Sequence, residues 1–310
     1  MDAGSQKFLM KPKLDLIEKF GKNISKNINL SNYSWFNLGG PAEYLFKPEN
    51  TEQLLEFLKY IKKTNFNLTI IGAGSNTLIR DKGIKGVVIK LGSNFSKIEL
   101  RKNDLIEVGA GALDRKIADF AKVNGIGGLE FLSCIPGSIG GSVKMNSGCY
   151  ERDISKILVS IKVIDPEECK EKEIDKKNIK FFYRGTDLPN ELIITSIKLN
   201  GRKTPREAIE KYQTELIQKK KMAQPSQIKT CGSTFKNLDE NKKAWQIIKE
   251  TGCDKLKEGD ASISEKHCNF FVNNGNAKSA DIEKLINKVK QKVNEKTGID
   301  LELEIKIIGD

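Results

Sequence analysis

Two glycine-rich segments are the first places in this 310-residue sequence where residue type and spacing point to chemistry. In Gly72-Ala73-Gly74-Ser75-Asn76 the glycines let backbone N–H groups approach an anion, and Ser75 and Asn76 add side-chain donors, so the segment is a candidate phosphate cradle. Alone it fits an ordinary tight connection equally well. A G-x-G-x-x-G fingerprint needs glycine at position 77, where Thr77 stands, and a helix directly after it, which the turn at Lys82-Gly83 opposes. The second segment, Ile135-Pro136-Gly137-Ser138-Ile139-Gly140-Gly141-Ser142, changes the balance. Two such loops in one domain can clamp the two phosphates of a dinucleotide from opposite sides, although a sharp, closely packed turn is its plainer reading.

Other chemistries are excluded by what the chain lacks. His267 is the only histidine, which rules out a multi-histidine metal site and any reaction that needs two imidazoles; no metal is expected. The six cysteines, Cys134, Cys149, Cys169, Cys231, Cys253 and Cys268, form no C-x-x-C pair and read as reduced thiols or small core residues. A net charge of +12 asks for an anionic partner. Lysines are interspersed with acids, and no basic stretch alternates with aromatics that stack bases, so a phosphorylated small molecule is favoured over nucleic acid. No apolar run approaches the roughly 20 residues of a membrane span, and charges interrupt the first twenty positions. A cytoplasmic protein that binds no membrane is expected.

The loops need elements to hold them. A helix is expected over Thr51 to Lys63, with Leu54, Leu58 and Ile61 on one face, Thr51 as cap, and Lys62 and Lys63 at the carboxyl-terminal dipole. A strand at Leu68 to Ile71 leads into the first loop, and Gly86 to Leu91 is another. A second helix, Ala112 to Asn124, puts Leu113, Ile117 and Phe120 on one side and stops at Gly125. From Glu130 to Tyr150 glycine and small residues surround Phe131, Leu132, Ile135 and Met145, the pattern of a segment pressed against something. Ile157 to Ile164 and Leu192 to Lys198 read as strands, and Pro205 opens a helix that reaches about Met222. Past the composition shift near Asn200 to Pro205 come a helix at Ala244 to Glu250, a strand at Asn269 to Asn273, and a helix from about Ala280 to Lys296. The last has Ile282, Leu285, Ile286, Val289 and Val293 on one face and Ser279 as cap. A final strand runs from Leu301 to Ile308.

In this order and spacing, GAGSNTLI, GLEFLSCIPGSIGGSVKMNSGCY, FFYRG, QPSQIKTCGSTFKN, ISEKHCNFFVN and LELEIKIIG resemble the UDP-N-acetylenolpyruvoylglucosamine reductase family. The resemblance runs from about Trp35 to Gly309. It implies an α+β protein: an FAD-binding domain of the vanillyl-alcohol-oxidase (PCMH) type over 31–202, a C-terminal α+β substrate-binding domain over 203–310, and an N-terminal extension over 1–30. It also implies that the two glycine loops hold the FAD pyrophosphate through Gly72, Ala73, Gly74, Ser75, Asn76 and Thr77 and through Gly137, Ser138 and Gly141. NADPH is then the hydride donor and the enolpyruvyl ether of UDP-N-acetylglucosamine the acceptor. An alcohol oxidase of the same fold group is the alternative.

Reducing an enolpyruvyl double bond needs a hydride at one carbon and a proton at its neighbour, with negative charge building into the substrate carboxylate between the two. The flavin supplies the hydride, so the protein must supply charge stabilisation and the proton. By the resemblance, Arg184 holds the carboxylate, Ser233 gives the proton, and Glu304, returned to the flavin by the last strand, orients or protonates the intermediate with Arg184. Tyr183 and Asn237 then meet the substrate, Asn237 near its diphosphate. Without the resemblance Arg184 and Ser233 read as turn residues, Thr234 is as good a proton donor as Ser233, and Glu302, Glu304 and Lys306 share a solvated strand face. The chain departs from the family at Cys134, at Leu238 and at Gly185-Thr186, which bears on the backbone around the loops. His267 is given a structural hydrogen-bonding role.

Overall fold

The computed structural model describes residues 16–62, 64, 66–239 and 242–310. Helix α1 (Leu16–Phe20) and strand β1 (Ile24–Asn29) precede β2 (Pro41–Phe46), with which β1 pairs antiparallel. Within the expected N-terminal extension, the described part is thus built into the sheet, and Leu16, Phe20 and Ile24 lie in the main core. Helix α2 (Thr51–Ile61) buries Leu54, Phe57, Leu58 and Ile61, and Phe57 stacks on Phe46 at 3.9 Å between ring centres. Its cap is Asn50, whose side chain accepts from the Gln53 N–H; Thr51 lies inside the helix, and Lys63 lies outside the described residues. Strands β3 (Leu68–Ile71), β4 (Thr77–Ile79) and β5 (Ile84–Lys90) follow. β2, β5 and β3 run parallel, so Lys47, Lys90 and Gly72 follow or close them at a single sheet edge. Ligands of open parallel sheets sit at this carboxyl edge.

A second sheet is antiparallel. It combines β6 (Ile98–Leu100) and β7 (Leu105–Gly109) with the strands Leu158–Asp165, Lys170–Asp175 and Ile193–Asn200, with β7 beside Ile193–Asn200. Helix α3 (Asp114–Val123) begins two residues later than its periodicity suggests. Leu113 stays 48% exposed at the N-cap, while Ile117, Ala118 and Ala121 turn into the core. Gly125, at φ +66°, ends the helix with the left-handed residue that glycine adopts without strain. The glycine-dense stretch contains a 3₁₀ turn (Glu130–Cys134) and the short helix α4 (Ile139–Lys144). Packing carries this body beyond the composition shift near position 200: helix α5 (Arg206–Ala223) lies on α3 and the 130–134 turn and buries Leu216 in the same core.

The C-terminal body has its own core. Helices α6 (Ala244–Glu250) and α7 (Ser279–Thr297) cover strands Ala261–Ile263 and Phe271–Asn273. All five apolar positions expected on α7 are buried, at ~2 kcal/mol each, which outweighs helix propensity. Phe36, Leu38 and Leu78 from the first body enter this second core. The final segment is a strand only over Lys306–Ile308, which pairs parallel with β4; Leu303 makes a single bridge to Phe235. Among the described residues no helix is long and apolar enough to cross a membrane.

Ser279 is not a cap. Its hydroxyl donates to the Ile79 carbonyl, and the first N–H groups of α7, on Ser279 and Ala280, donate to the Asp81 carboxylate at 2.9 and 3.0 Å. Arg80 adds a two-pronged pair with Glu283 at 2.9 and 3.0 Å. A residue of the first body therefore caps the main helix of the second. Asp81→Ala is expected to lower stability by about 1–2 kcal/mol through the lost cap, seen as a lower urea midpoint for loss of helical circular dichroism. An unchanged midpoint would show that solvent caps α7 equally well.

Candidate active site

Both glycine loops open onto one cavity of about 690 Å³, within the roughly 300–1,000 Å³ usual for small-molecule sites. Gly72 through Thr77 line it from the first loop, and Gly137, Ser138 and Gly141 from the second, so every residue expected to hold the cofactor lies on its wall. The loops also touch one another: the Ala73 N–H donates to Ser138 Oγ at 3.3 Å. Glycine is required where they meet, since a Cβ on Gly72 would lie 2.5 Å from Ser138 Oγ. Gly74, at φ +71°, presses against the Tyr33 carbonyl, 1.9 Å from where a Cβ would stand. A diphosphate with a flavin and an adenosine at its ends fits this cradle: bare backbone on two sides, hydroxyls from Ser75 and Ser142, and an apolar wall from Leu91, Leu188, Leu192 and Ile194.

Two residues near the cradle carry no sequence signal. The Lys90 ammonium donates to the Gly72 carbonyl at 2.5 Å, and burial, with the charge of Lys47 adding to it, pushes its pKa down. Asp114, fully buried beneath the second loop, shares a 2.7 Å hydrogen bond with Ser142 Oγ. A lysine at a strand end and an aspartate in the first turn of a helix are ordinary residues in a sequence.

Arg184 and Glu304 meet directly. The Arg184 Nε donates to Glu304 Oε1 at 2.9 Å, and its Nη2 donates to the Gly148 carbonyl at 2.9 Å. Arg184 ends the two-residue turn between Phe181–Phe182 and Gly185–Thr186 at φ +57°, the left-handed region where glycine is usual. Such a residue costs about 1 kcal/mol or more and persists only where its surroundings hold it, here through the carboxylate and the carbonyl. Glu304 is largely covered, its side chain 17% exposed. Burial raises its pKa, against the lowering by the Arg184 charge and hydrogen bond and by Lys236. Glu302 points to solvent and pairs with Lys236 at 2.5 Å. Both glutamates lie on the polar side of the segment, and the arrival of Arg184 over one of them makes the difference.

Ser233 reaches the same region through its backbone. Its neighbour Thr234 accepts from the Glu304 N–H at 2.9 Å, and the Glu304 carbonyl accepts from Asn76 Nδ2 at 3.0 Å. Asn76 thus joins the first glycine loop to the C-terminal segment, whose Glu304 in turn bonds the Ser233 segment. Ser233 is partly exposed and its hydroxyl makes no hydrogen bond among the described residues; neither Ser233 nor Glu304 lines the cavity. The Thr234 hydroxyl is buried and has no hydrogen-bond partner among the described residues, which separates two residues that look equivalent in the sequence. Asn237 donates to the Tyr183 hydroxyl at 3.2 Å and accepts from the Ala244 N–H at 3.1 Å, so the two expected substrate contacts are in contact with each other. Tyr183 is half-exposed beside the Arg184 guanidinium, 5.0 Å from its ring centre.

The family departures leave this geometry intact. Cys134 turns into the main core and does not line the cavity. Gly185 and Thr186 line the cavity, the Thr186 hydroxyl donating to the Lys144 carbonyl at 3.2 Å. Leu238 is 43% exposed, one residue past Asn237. His267 accepts from the Asn269 N–H on Nδ1 at 3.3 Å and packs edge-on to Phe270, and burial lowers its pKa.

Known proteins match both bodies. Residues 42–168 match the family described as FAD binding domain, and residues 224–308 match the family described as UDP-N-acetylenolpyruvoylglucosamine reductase, C-terminal domain. The reductase of that name from Pelagibacter ubique is 48% identical over 301 residues, 95% of this chain and 99% of the relative. That from Gluconobacter oxydans is 42% identical, over 92% of each. The crystal structure of the enzyme from Thermus caldophilus superposes with a TM-score of 0.79 at 32% identity, covering 91% of this chain and 98% of that one.

Proposed function

The chain belongs to the UDP-N-acetylenolpyruvoylglucosamine reductase family, and from that membership we infer that it reduces UDP-N-acetylenolpyruvoylglucosamine to UDP-N-acetylmuramate with NADPH through bound FAD, in peptidoglycan precursor synthesis. The observation that carries this reading in the structure is a single cavity whose wall holds both glycine loops and Arg184. Bound FAD supplies the redox step, accepting two electrons from NADPH and delivering them to the enolpyruvyl double bond. An alcohol oxidase on a similar flavin domain is not favoured, because residues 224–308 match the reductase's own C-terminal domain.

The residue roles are our proposal. Backbone N–H groups of Gly72 to Thr77 and of Gly137, Ser138 and Gly141 hold the diphosphate of FAD, and Lys90 supplies positive charge from behind Gly72. Arg184, fixed in direction by Glu304 and the Gly148 carbonyl, presents its remaining N–H groups to the substrate carboxylate as charge builds there. Ser233 gives the proton that completes the reduction, and Tyr183 and Asn237 hold the substrate diphosphate. The division into a flavin-binding part over 31–202 and a substrate-binding part over 203–310 follows the positions of these groups along the chain, while the packing of the cores crosses it, with Leu216 in the first core and Phe36, Leu38 and Leu78 in the second. Both substrates are nucleotides, which supports action in the cytoplasm.

The visible spectrum of the purified protein tests the assignment. A flavin spectrum is expected that bleaches with NADPH under anaerobic conditions and recovers on adding the enolpyruvyl UDP-sugar. A colourless protein that takes up no FAD, or bleaching by an alcohol in place of NADPH, overturns it.

A further inference from the structure

Asp114 is fully buried, and of its two carboxyl oxygens Oδ1 has no hydrogen-bond partner among the described residues while Oδ2 lies 2.7 Å from Ser142 Oγ. An ionised carboxylate with a buried oxygen that no protein group pairs is an expensive group to bury, whereas a neutral acid in the same place costs far less. The surroundings are those of the cofactor cradle. A Cβ on Gly137 would stand 2.9 Å from Asp114 Oδ2, 3.2 Å from Ser142 Oγ and 3.7 Å from Ser75 Oγ, so the carboxyl underlies the point where hydroxyls of both loops converge. The Asp114 N–H donates to the Gly137 carbonyl, which fixes the carboxyl relative to the loop. Ser142 lines the cavity; Asp114 stands behind it.

We propose that Asp114 is a positioning residue that acts as a neutral acid: its proton bridges Oδ2 to Ser142 Oγ and so frees the Ser142 hydroxyl hydrogen to face the diphosphate of FAD. The proton on Asp114 then sets the polarity of Ser142. With Asp114 neutral, Ser142 is a donor toward the cavity. With Asp114 ionised, the Ser142 hydrogen turns back to the carboxylate, and lone pairs plus a buried negative charge oppose the two phosphates. The step is a protonation from solvent with no change of redox state.

Among the described residues, burial and the Ser142 hydrogen bond are the influences on Asp114, and no charged group competes for this role. Ser142 comes from α4, Gly137 from the second loop and Ser75 from the first, all uncharged. On elements packed against α3 or on α4, Glu130 accepts from the Gly128 N–H, Lys220 donates to the Cys134 carbonyl, and Lys144 donates to the Pro189 and Asn190 carbonyls; the Cys134 thiol lies in the main core, and the other charged side chains of α5, Arg206, Glu207, Glu210, Lys211, Glu215, Lys219 and Lys221, make no hydrogen bond or ion pair with Asp114. Arg115 and Lys116, on α3 itself, are exposed, and Asp119 accepts from Gln213 of α5. Burial, partly offset by the Ser142 hydrogen bond, raises the Asp114 pKa to about 7, so the switch falls at neutral pH.

The inference rests on the FAD reading and is separable from it. The test is dissociation of FAD from the full-length holoenzyme on serial dilution, read as recovered flavin fluorescence. With a free-state pKa of about 7 and a bound state that stays neutral, Kd is expected to rise about tenfold between pH 6 and pH 8, affinity being lost as pH rises. Asp114→Asn, whose amide donates to Ser142 permanently, is expected to bind at pH 8 as tightly as the unchanged protein at pH 6. Its residual dependence is at most about twofold, from Lys144, whose pKa burial lowers to about 8. A flat profile in the unchanged protein, or an Asp114→Asn variant with the same tenfold slope, overturns the proposal. A measurement without any variant decides it as well: the unchanged holoenzyme at pH 8 should show the infrared carbonyl band of a protonated carboxyl, and its absence overturns the proposal. Protein that neither retains nor takes up FAD at any pH defeats the family reading instead.

Discussion

A Ser233→Ala enzyme is expected to be bleached by NADPH at the normal rate and then to stall, its flavin recovering roughly 10²–10⁴-fold more slowly when the enolpyruvyl UDP-sugar is added. The expectation comes from the difference between two adjacent hydroxyls. Ser233 is partly exposed and uncommitted, on a segment whose backbone is tied to Glu304 and to Asn269. Thr234, one residue on, is enclosed; its backbone N–H donates to the Asn269 carbonyl and its hydroxyl is buried with no hydrogen-bond partner among the described residues. A hydroxyl is a weak acid, so it can deliver a proton only to a strongly basic, enolate-like carbon held in line with it and shielded from water. Thr234→Val is the matching control. It removes a buried, unpartnered hydroxyl and should leave both half-reactions near their normal rates. Normal recovery in Ser233→Ala, or a stall in Thr234→Val with Ser233 intact, would reassign the proton donor.

Arg184→Met should be nearly as damaging and in a different way. Loss of one preorganised donor at a developing negative charge typically costs about 10²–10³ in rate. Here the guanidinium is also the partner of a covered carboxylate, so its removal leaves Glu304 without its hydrogen-bonded counter-charge and with only the weaker influence of Lys236. Both effects act on the substrate half-reaction, so recovery of the flavin should slow by that factor while bleaching by NADPH is retained. Arg184→Lys keeps the charge but loses the fork that reaches Glu304 Oε1 and the Gly148 carbonyl at once, and should recover only part of the rate. If the lysine variant matched the unchanged enzyme, charge alone would suffice and the fixed direction of Arg184 would have no function.

Local pattern accounts for what was legible in the chain. The apolar stripe of α7 and the β-branched run of β5 each state their own burial, because a 3.6- or 2-residue period is a property of consecutive residues. Caps were less legible. Asn50 displaced Thr51 by one position, and Ser279 lost the role to Asp81, some two hundred residues away. Strand length was overread at the C-terminus: alternation continues from Leu301, yet before Lys306 pairing is limited to the bridge between Leu303 and Phe235, and a strand forms where β4 is alongside. β1 and β2 carry little periodic signal and owe their place to pairing with each other and with β5.

The sequence by itself determined the two glycine loops, the helical and strand segments with strong periodicity, and, through ordered motifs, the family. These are encoded in contiguous residues, and a glycine where no Cβ fits remains a glycine in any context. Only the tertiary structure decided which of two glutamates is covered by Arg184, which of two hydroxyls is free, and that Lys90 and Asp114 stand beside the loops. Each of those facts is a contact between distant segments, and both the burial that raises the Asp114 pKa and the hydrogen bonds that aim Arg184 exist only once those segments have closed on one another.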